Sequence, residues 1–346
     1  MNSHLNVITG ASGLLGSHIA EQLVAEGESV RVMVRAASNI GFLQSLGVEI
    51  VVGELADARF VSECVRGAGV VYHCAAHARD WGGWSDFVAA NVETTRNVVD
   101  ACRTGGVGRL LHVSSAACYG HPDPRRGVVT EDTQLGRDLW LWDYYIRSKL
   151  ESERLVASLG AQAAIVRPTW IYGPRDVTII PRIIRTIRSD RYWMIGRGDN
   201  PLNMGYATDM AAGAIRAARH PSAGGQTYNL CGEGQITQRE LIDLLCDAVG
   251  HPRITRSVPK RLVHWAGFAM EAWGRMLGKK DPPRVTRHAL AVFTRPAIFS
   301  SEKARQQLGW RPQVSPREGL SRTLAWMRAS EDAARAAGGP LPNLPQ

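Results

Sequence analysis

Cysteine is sparse in this chain, and its distribution excludes two kinds of framework. The 346 residues include six cysteines, and no two of them form a C-x-x-C pair. Such spacing suits neither a disulfide-stabilised fold nor a zinc site, and no other metal-ligand spacing is seen. We therefore predict small buried thiols in a reducing compartment, and no metal. The six are Cys64, Cys74, Cys102, Cys118, Cys231 and Cys246.

Long apolar runs are missing as well. No stretch of about 18 apolar residues occurs, so the sequence predicts no membrane-spanning helix. A strand pattern that begins at Leu5 argues against an N-terminal signal peptide. We therefore expect a cytoplasmic protein, and membrane association then depends on surface features.

Acidic residues are scarce in one region. Residues 251–311 contain thirteen Arg and Lys against three acids, whereas the whole chain has a net charge of +9. A basic surface of this kind faces solvent, an anionic membrane or an anionic small molecule. No nucleic acid partner is expected, because no nucleic-acid-binding motif accompanies the charge.

Short runs rich in β-branched residues alternate with longer helical patterns in the first half of the chain. This alternation predicts an α/β fold, a doubly wound parallel sheet of the Rossmann type with helices on both faces. We assign residues 1–175 to a dinucleotide-binding domain to which later segments return. Residues 176–334 are assigned mainly to a smaller C-terminal substrate-binding lobe, and 335–346 to a flexible tail. The predicted strands are 6–9, 30–34, 48–52, 70–74, 109–114 and 163–167.

A glycine-rich turn follows the first predicted strand. In VITGASGLLGSHIA, three glycines spaced three apart stand between a strand and a helix. Glycine lets the backbone approach a pyrophosphate, and the helix N-terminus supplies unpaired N–H groups and the positive end of its dipole. The pattern therefore predicts a dinucleotide site. Its predicted contacts are Gly10, Ser12, Gly13, Leu14, Leu15 and Gly16.

The ends of the second and third strands bear on which dinucleotide is bound. An acid after the second strand would bind the ribose 2′-hydroxyl of NAD, whereas a cation accommodates the 2′-phosphate of NADP. Arg35 holds that place and no carboxylate follows before Glu49, so we predict NADP in preference to NAD. Ser38 adds a candidate phosphate contact, and Glu54 with Leu55 ends the third strand, where an acid reaches the adenine amino group. The alternative is a solvated Arg35 without a role in binding.

The segment DYYIRSK contains a candidate reaction centre. Tyr145 and Lys149 are four residues apart, so on a helix their side chains share one face. A tyrosine normally titrates near pH ~10, and a neighbouring ammonium favours the phenolate. We therefore expect Lys149 to lower the pKa of Tyr145 and to make it a usable general acid or base. Tyr144 lies about 100° further round the helix and cannot share that face.

A pair of serines offers a partner for the tyrosine. Ser114 and Ser115 end a predicted strand of the parallel sheet, at the edge where doubly wound sheets bind ligands. A hydroxyl there is placed to donate a hydrogen bond to a substrate oxygen. The alternative is a helix cap or a turn.

Together these residues resemble the extended short-chain dehydrogenase/reductase family. TGASGLLG, HCAAHA, NVETTRNV, VSSAACYG, YIRSK and RPTWIYGP follow in the expected order across about residues 5–175. The resemblance implies that Tyr145 exchanges a proton with the substrate oxygen, Lys149 holds the nicotinamide ribose, and Ser115 polarises the substrate oxygen. It gives Asn91 a structural or proton-relay role. Further implied cofactor contacts are Ala75, Ala76, His77, Asn91, Lys149 and Pro168.

The branch of this family is indicated by one position. Members that act on sugar nucleotides usually have an asparagine in R-x-x-N-x-x-G-P, where this chain has Trp170. An indole cannot replace the contacts of an amide. The sequence therefore resembles the branch of 3β-hydroxysteroid dehydrogenases, sterol 4-carboxylate dehydrogenases and 2-alkyl-3-oxoalkanoate reductases. Trp81 and Trp84 join Trp170 as candidate substrate contacts, with packing at the sheet edge as their alternative.

The expected function is hydride transfer between a nicotinamide and a secondary alcohol or ketone on a bulky apolar substrate. A nucleotide-sugar epimerase or dehydratase is the alternative, and a non-catalytic dinucleotide sensor is a further one. The sequence is compatible with a homodimer.

The segment 259–280 contains an apolar arc with a narrow polar stripe of His264, Glu271 and Arg275. It is too short and too charged to span a bilayer. We consider a buried lobe helix, a lid over an apolar substrate, and an interfacial helix that makes a peripheral contact with an anionic membrane. The arc consists of Leu262, Trp265, Ala266, Ala269, Trp273, Met276 and Leu277.

Overall fold

The computed structural model describes residues 4–121, 127–279, 281–283, 286–294 and 297–336. Its strands are β1 (Asn6–Thr9), β2 (Val30–Val34), β3 (Glu49–Val52), β4 (Val70–His73), β5 (Arg109–Val113), β6 (Ala163–Pro168), β7 (Trp170–Tyr172), β8 (Met194–Ile195), β9 (Pro201–Leu202), β10 (Met204–Tyr206), β11 (Thr227–Leu230), β12 (Ile236–Thr237) and β13 (Ser257–Val258).

The helices alternate with these strands. They are α1 (Leu14–Ala25), α2 (Gly41–Ser45), α3 (Ala58–Val65), α4 (Trp84–Phe87), α5 (Thr94–Thr104), α6 (Tyr144–Ala157), α7 (Ile179–Arg188), α8 (Ala207–Arg219), α9 (Gln238–Val249), α10 (Lys260–Met276), α11 (Arg287–Thr294), α12 (Glu302–Leu308) and α13 (Pro316–Ala336). A π-helical segment, Val88–Glu93, joins α4 to α5, and 3₁₀ turns lie at Ala116–Tyr119, Gly160–Gln162 and Pro221–Ala223.

The main sheet has seven parallel strands in the order β11–β6–β5–β4–β1–β2–β3. The predicted doubly wound α/β fold is confirmed, and the six predicted strands match β1 to β6 within one residue at each end. The seventh strand, β11, was not among the predicted strands and pairs with β6. From β1 the strands are added first toward one edge of the sheet (β2, β3) and then, from β4, toward the other edge. This reversal of strand order opens a crevice at the C-terminal ends of β1 and β4. In such sheets this crevice binds the dinucleotide.

Both faces of the sheet are buried, which explains why its strands are apolar without strict alternation. Leu110 packs with α3, α5 and α6 on one face, and the next residue, Leu111, packs with α1 and α8 on the other. A separate core joins α7, α9 and α13 through residues such as Ile184, Leu241 and Leu320. Most residues of this second core come from the C-terminal half of the chain.

All six cysteines are free thiols, five of them buried and Cys74 half-buried. Among the described residues, no helix is both long and apolar enough to cross a membrane. That same part of the chain contains no group of three or more His, Cys, Asp or Glu arranged to hold a metal ion.

The orientation of α10 differs from the interpretation as a buried lobe helix. Its apolar arc is exposed, while Gly267, Glu271 and Gly274 are buried against the protein. The physical reason is that Glu271 pairs with Arg287 inside the fold, so the polar stripe faces inward. The buried-helix interpretation of residues 259–280 is therefore wrong.

Candidate active site

The glycine-rich turn brings β1, α1 and β4 into close contact. Gly10 has φ +68°, and a Cβ there would lie 2.6 Å from the backbone nitrogen of Ala75. A Cβ on Gly16 would overlap the Gly10 carbonyl oxygen. Gly13 precedes α1, and no side chain caps the helix. Within the described part of the chain, the first N–H groups of α1 therefore have no side-chain acceptor, as a pyrophosphate site requires.

The other predicted residues of the turn differ in exposure. Ser12 and Gly13 are exposed, Leu14 is half-buried and Leu15 packs in the sheet core. The backbone of the turn is thus accessible to a ligand, while the Leu15 side chain packs in the core. These features fit a dinucleotide.

Arg35 follows β2 directly and is exposed. Its backbone N–H donates to the Ser38 hydroxyl at 3.2 Å, and the Ser38 N–H donates back to the Arg35 carbonyl at 2.9 Å. Burial, with the charges of Arg79 and Arg35, lowers the pKa of His77. The charge of Arg35 therefore acts at the end of β4, beside the crevice. Glu54 is exposed after β3, where Leu55 is half-buried.

The loop after β4 is tied to α6 through Asn91. The Ala75 N–H donates to the Thr9 hydroxyl at 3.2 Å, and Ala76 is exposed. The Asn91 amide oxygen accepts from the His77 N–H at 2.6 Å, and its nitrogen donates to the Ser148 hydroxyl at 2.9 Å. Asn91 thereby holds the loop against the residue next to Lys149.

The two serines at the end of β5 face different surroundings. The side chain of Ser115 lies close enough to Tyr145 to lower the pKa of the phenol, and it accepts a hydrogen bond from the Ala117 N–H at 3.1 Å. Ser114 is buried, with its oxygen 3.3 Å from the Cys118 sulfur. Ser115 therefore caps a 3₁₀ turn and faces the tyrosine as well.

Lys149 is buried, with 2% of its surface exposed. Its Nζ donates to the Val113 carbonyl at 2.7 Å and lies 3.4 Å from Nε2 of His112. Burial lowers the pKa of Lys149 and lowers that of His112 well below its usual value. The neutral imidazole can accept from the ammonium, so β5 provides two acceptors for Lys149.

The pKa of Tyr145 differs from the sequence-based expectation. Burial and the nearby Cys118 raise it to about 12, against the hydrogen bond with Ser115 that lowers it. The prediction that Lys149 lowers this pKa is wrong for this structure, because Lys149 is directed at Val113 and His112 while burial dominates at the phenol. At neutral pH Tyr145 is therefore a proton donor.

An arginine on α10 stacks on aromatic rings at the start of α6, the helix that contains Tyr145 and Lys149. The guanidinium carbon of Arg275 lies 4.6 Å from the ring centroid of Trp81, 5.1 Å from Trp142 and 5.2 Å from Tyr144. Trp84 also contacts Tyr144, with ring centroids 5.8 Å apart. We call these five residues the arginine–aromatic wall. Of the two predicted tryptophans, Trp84 contacts Tyr144 directly, and Trp81 is joined to it through Arg275.

Only some of the N–H groups of Arg275 have hydrogen-bond partners among the described residues. Its Nη1 donates to the Gly82 carbonyl at 3.1 Å, but its Nε is buried without a hydrogen-bond partner among the described residues. None of the described carboxylates forms an ion pair with it, since Glu271 is engaged by Arg287 at 2.8 Å. Burial lowers the pKa of Arg275. A partly desolvated cation with an unused donor favours an anionic ligand.

Trp170 lies apart from this wall. It packs edge-on against Phe293 with ring centroids 5.9 Å apart, and its indole N–H is buried without a partner among the described residues. Pro168 is buried at the end of β6. Trp170 therefore belongs to the surroundings of the lobe core.

Sequence reasoning missed the roles of His112, Arg275 and Arg287. His112 interrupts an apolar strand, and Arg275 shares a narrow polar stripe with Glu271 on an otherwise apolar helix. An ionisable residue in such a position has to find a partner inside the fold. That signal was present in the sequence, but it did not indicate which partner.

Comparison with known proteins agrees with this fold. A model of the NAD dependent epimerase/dehydratase family matches residues 6–231. A 2-alkyl-3-oxoalkanoate reductase of Stenotrophomonas maltophilia (strain K279a) is 32% identical over 326 residues, covering 92% of this chain and 98% of that protein. The sterol-4-alpha-carboxylate 3-dehydrogenase, decarboxylating, of Mus musculus is 27% identical over 330 residues, covering 92% and 89%. The crystal structure of gox2253 has a TM-score of 0.78 at 28% identity, covering 94% of this chain and 98% of that one.

The fold and these matches define an enzyme of the short-chain dehydrogenase/reductase class. More particularly, the chain belongs to the NAD dependent epimerase/dehydratase family. The predicted resemblance, the predicted enzyme class and the use of a nicotinamide cofactor are confirmed at this level.

Proposed function

We propose that this enzyme is an NADP-preferring oxidoreductase that interconverts a ketone and a secondary alcohol on a bulky apolar substrate with a nearby carboxylate. The observation that carries the proposal is the close approach of Ser115 to Tyr145 at the C-terminal edge of the parallel sheet, beside the buried Lys149. A 2-alkyl-3-oxo acid or a 3β-hydroxysteroid with a neighbouring acid group fits this description.

In this mechanism the chain supplies the proton and holds the reacting oxygen. The nicotinamide, when bound, supplies or accepts the hydride. During reduction, Tyr145 donates its phenolic proton to the substrate oxygen as negative charge develops there, and Ser115 donates a second hydrogen bond. Lys149 lies on the same helix face, one turn away, and would hold the cofactor ribose through its ammonium. Oxidation runs the same steps backwards and requires the phenolate.

The arginine–aromatic wall supports the proposed substrate. Trp84, Trp142 and Tyr144 are half-buried aromatic side chains, and Trp81 is buried behind them. Arg275 adds a half-buried cation that no described carboxylate pairs with. A carboxylate β to the reacting carbon lies within a few bonds of the oxygen that Tyr145 protonates. One substrate of this class thus satisfies both the apolar wall and its cation.

A substrate panel tests this proposal. We expect oxidation of NADPH, followed by its absorbance, with long-chain 2-alkyl-3-oxo acids, and little with their methyl esters or with UDP- and dTDP-sugars. Charged hydrogen bonds of about 1.5–3 kcal/mol correspond to roughly tenfold to hundredfold in kcat/KM between acid and ester. Turnover of a sugar nucleotide with no net change in absorbance would favour the epimerase or dehydratase alternative instead.

The Arg275→Gln variant, assayed with the same substrates, tests whether Arg275 binds the carboxylate. It should lower kcat/KM for the acid mainly through KM and leave the ester nearly unchanged, because only the acid uses the cation. Arg256→Gln is a matched control, since Arg256 also stacks on an exposed tryptophan, Trp193, at 5.6 Å. Equal losses for acid and ester in Arg275→Gln would show that this residue supports the wall without binding the carboxylate.

The cofactor preference depends on Arg35. Its guanidinium is exposed after β2 and can pair with a 2′-phosphate. We expect the Arg35→Asp variant to lose roughly tenfold to hundredfold in kcat/KM for NADPH and to gain for NADH. Arg59→Asp, an exposed cation on α3, serves as the control. A wild-type preference for NADH of tenfold or more would contradict the proposed role of Arg35.

A further inference from the structure

The apolar arc of α10 is turned to solvent along its whole length. Five large side chains of this arc are more than half exposed. They are Trp265 (72%), Met276 (69%), Leu262 (59%), Trp273 (57%) and Leu277 (53%). The alanines between them, Ala266 and Ala269, are exposed too. An exposed apolar stripe of this size marks a surface for interaction rather than a normal solvated helix face.

The opposite face of α10 fixes this orientation. Glu271 accepts hydrogen bonds from the backbone N–H of Arg287 at 2.6 Å and from its Nε at 2.8 Å. Gly274 lies against Trp81, where a Cβ would come within 3.1 Å of the ring. Turning the arc inward would expose the indole and break a buried ion pair, which is costly. The arc is therefore presented outward by contacts on the other side.

Cations lie at both ends of the exposed arc. Lys260 and Arg261 begin α10, and Lys279 follows its end. Near the first end, Trp193 is also about half exposed and precedes β8, which pairs with β13 directly before the helix. Arginine and lysine beside exposed tryptophan are typical of helices that lie in the interface of an anionic bilayer.

We propose that the exposed face of α10 docks on the surface of an anionic membrane, with its axis in the plane of the interface. Seventeen residues rise about 25 Å, less than a bilayer-spanning helix requires, and the charged inner face excludes insertion. A second copy of the chain is a poorer occupant. Because both ends of α10 are cationic, parallel and antiparallel pairing would each bring like charges together.

Docking on this face would bring the arginine–aromatic wall near the lipid. The inner face of α10 contributes Arg275 to that wall, one helix diameter from the docked face. An apolar substrate dissolved in the bilayer would then reach the enzyme from the side on which the wall lies. The exposed arc and the cations at its ends support the docking, and neither observation depends on the proposed oxidoreductase function.

Co-sedimentation of the full chain with vesicles tests the docking. We expect binding to vesicles of phosphatidylcholine with phosphatidylglycerol, weaker binding to phosphatidylcholine alone, and weakening by salt. The double variant Trp265→Gln/Trp273→Gln should bind the anionic vesicles at least about tenfold more weakly. Val177→Gln removes an exposed apolar side chain elsewhere and should bind like the wild type.

Two readouts separate docking from folding and from catalysis. The double variant should keep the wild-type Tm and its turnover of a short, water-soluble substrate, because neither tryptophan belongs to the site. Equal vesicle binding by the double variant and the wild type would overturn the proposal. So would a wild-type dimer that fails to bind vesicles and becomes monomeric in the double variant, since the occupant would then be a second copy.

Discussion

Replacing Tyr145 by Phe is expected to lower kcat about 10²–10⁴-fold, the usual contribution of a positioned general acid. Ser115 lies close to the phenol, and a pKa of about 12 keeps the phenol protonated at neutral pH. Phenylalanine fills the same space but has no proton to give. The loss should be measured from the absorbance of the reduced cofactor at saturating concentrations of both substrates.

Tyr144→Phe is the matched control for this variant. Tyr144 begins the same helix and keeps its ring against Arg275 when only the hydroxyl is removed. We expect this variant to retain kcat within about threefold, because it keeps the ring of the wall and loses only a hydroxyl that does not lie on the face shared by Tyr145 and Lys149. Cofactor affinity should be unchanged in both variants. If Tyr145→Phe turned over at the wild-type rate, another group would have to be the proton donor.

The sheet and the placement of Tyr145 and Lys149 on one face of α6 followed from local rules. Strands β1 to β6 are short apolar runs bounded by turns, and spacing by four on a helix places two side chains on one face whatever surrounds them. The glycine turn was predictable for the same reason, since strand, turn and helix are contiguous. These features depend on residues that are close in sequence.

The pKa of Tyr145 and the orientation of α10 depend instead on residues far apart in sequence. Strand β5 brings Ser115 and Cys118, which follow it, close to the phenol. Burial has a larger effect on the pKa of this phenol than any cation on α6. For α10, the periodicity located the apolar arc but could not indicate which side faces the protein. That was decided by the pairing of Glu271 with Arg287, sixteen residues later in the chain.

β11 shows a third limit of local reasoning. The strand Thr227–Leu230 adds to β6 at the edge of the sheet, yet it stands in the less regular second half of the chain. It is as long as β1, β3 and β4, but no regular alternation of strands and helices marks its place in the sequence. Its place follows from tertiary pairing, including the Asn229 side chain that accepts a hydrogen bond from the Tyr119 hydroxyl at 2.7 Å.

Lys149→Met should separate activity from stability. We expect turnover to fall at least about 100-fold, because the ammonium that would hold the cofactor ribose beside Tyr145 is lost. Methionine has a similar length and no charge, so the buried space stays filled. Arg147→Met, an exposed cation on the same helix, should retain turnover.

The pH dependence of unfolding provides the second readout for Lys149→Met, and its sign follows from the lowered pKa of Lys149. Burial disfavours the ammonium in the folded state, so the folded pKa lies below the ordinary value of 10.5. Below the folded pKa both states are protonated, and the folded state bears the full cost of the buried charge. As pH rises between the folded pKa and 10.5, the unfolded state binds more protons, so this group makes the wild type more stable.

The variant lacks that contribution, so the free energy of unfolding of Lys149→Met minus that of the wild type should fall as pH rises toward 10.5. Urea unfolding at a series of alkaline pH values measures this difference, with Arg147→Met as the reference for a solvated cation. A difference that stays constant with pH would mean that the fold does not shift the pKa of Lys149. Retention of turnover within tenfold would contradict its place in the site. A variant that loses activity, and whose stability relative to the wild type falls as pH rises, would show that Lys149 is a buried cation that is needed for activity and that destabilises the fold when it is charged.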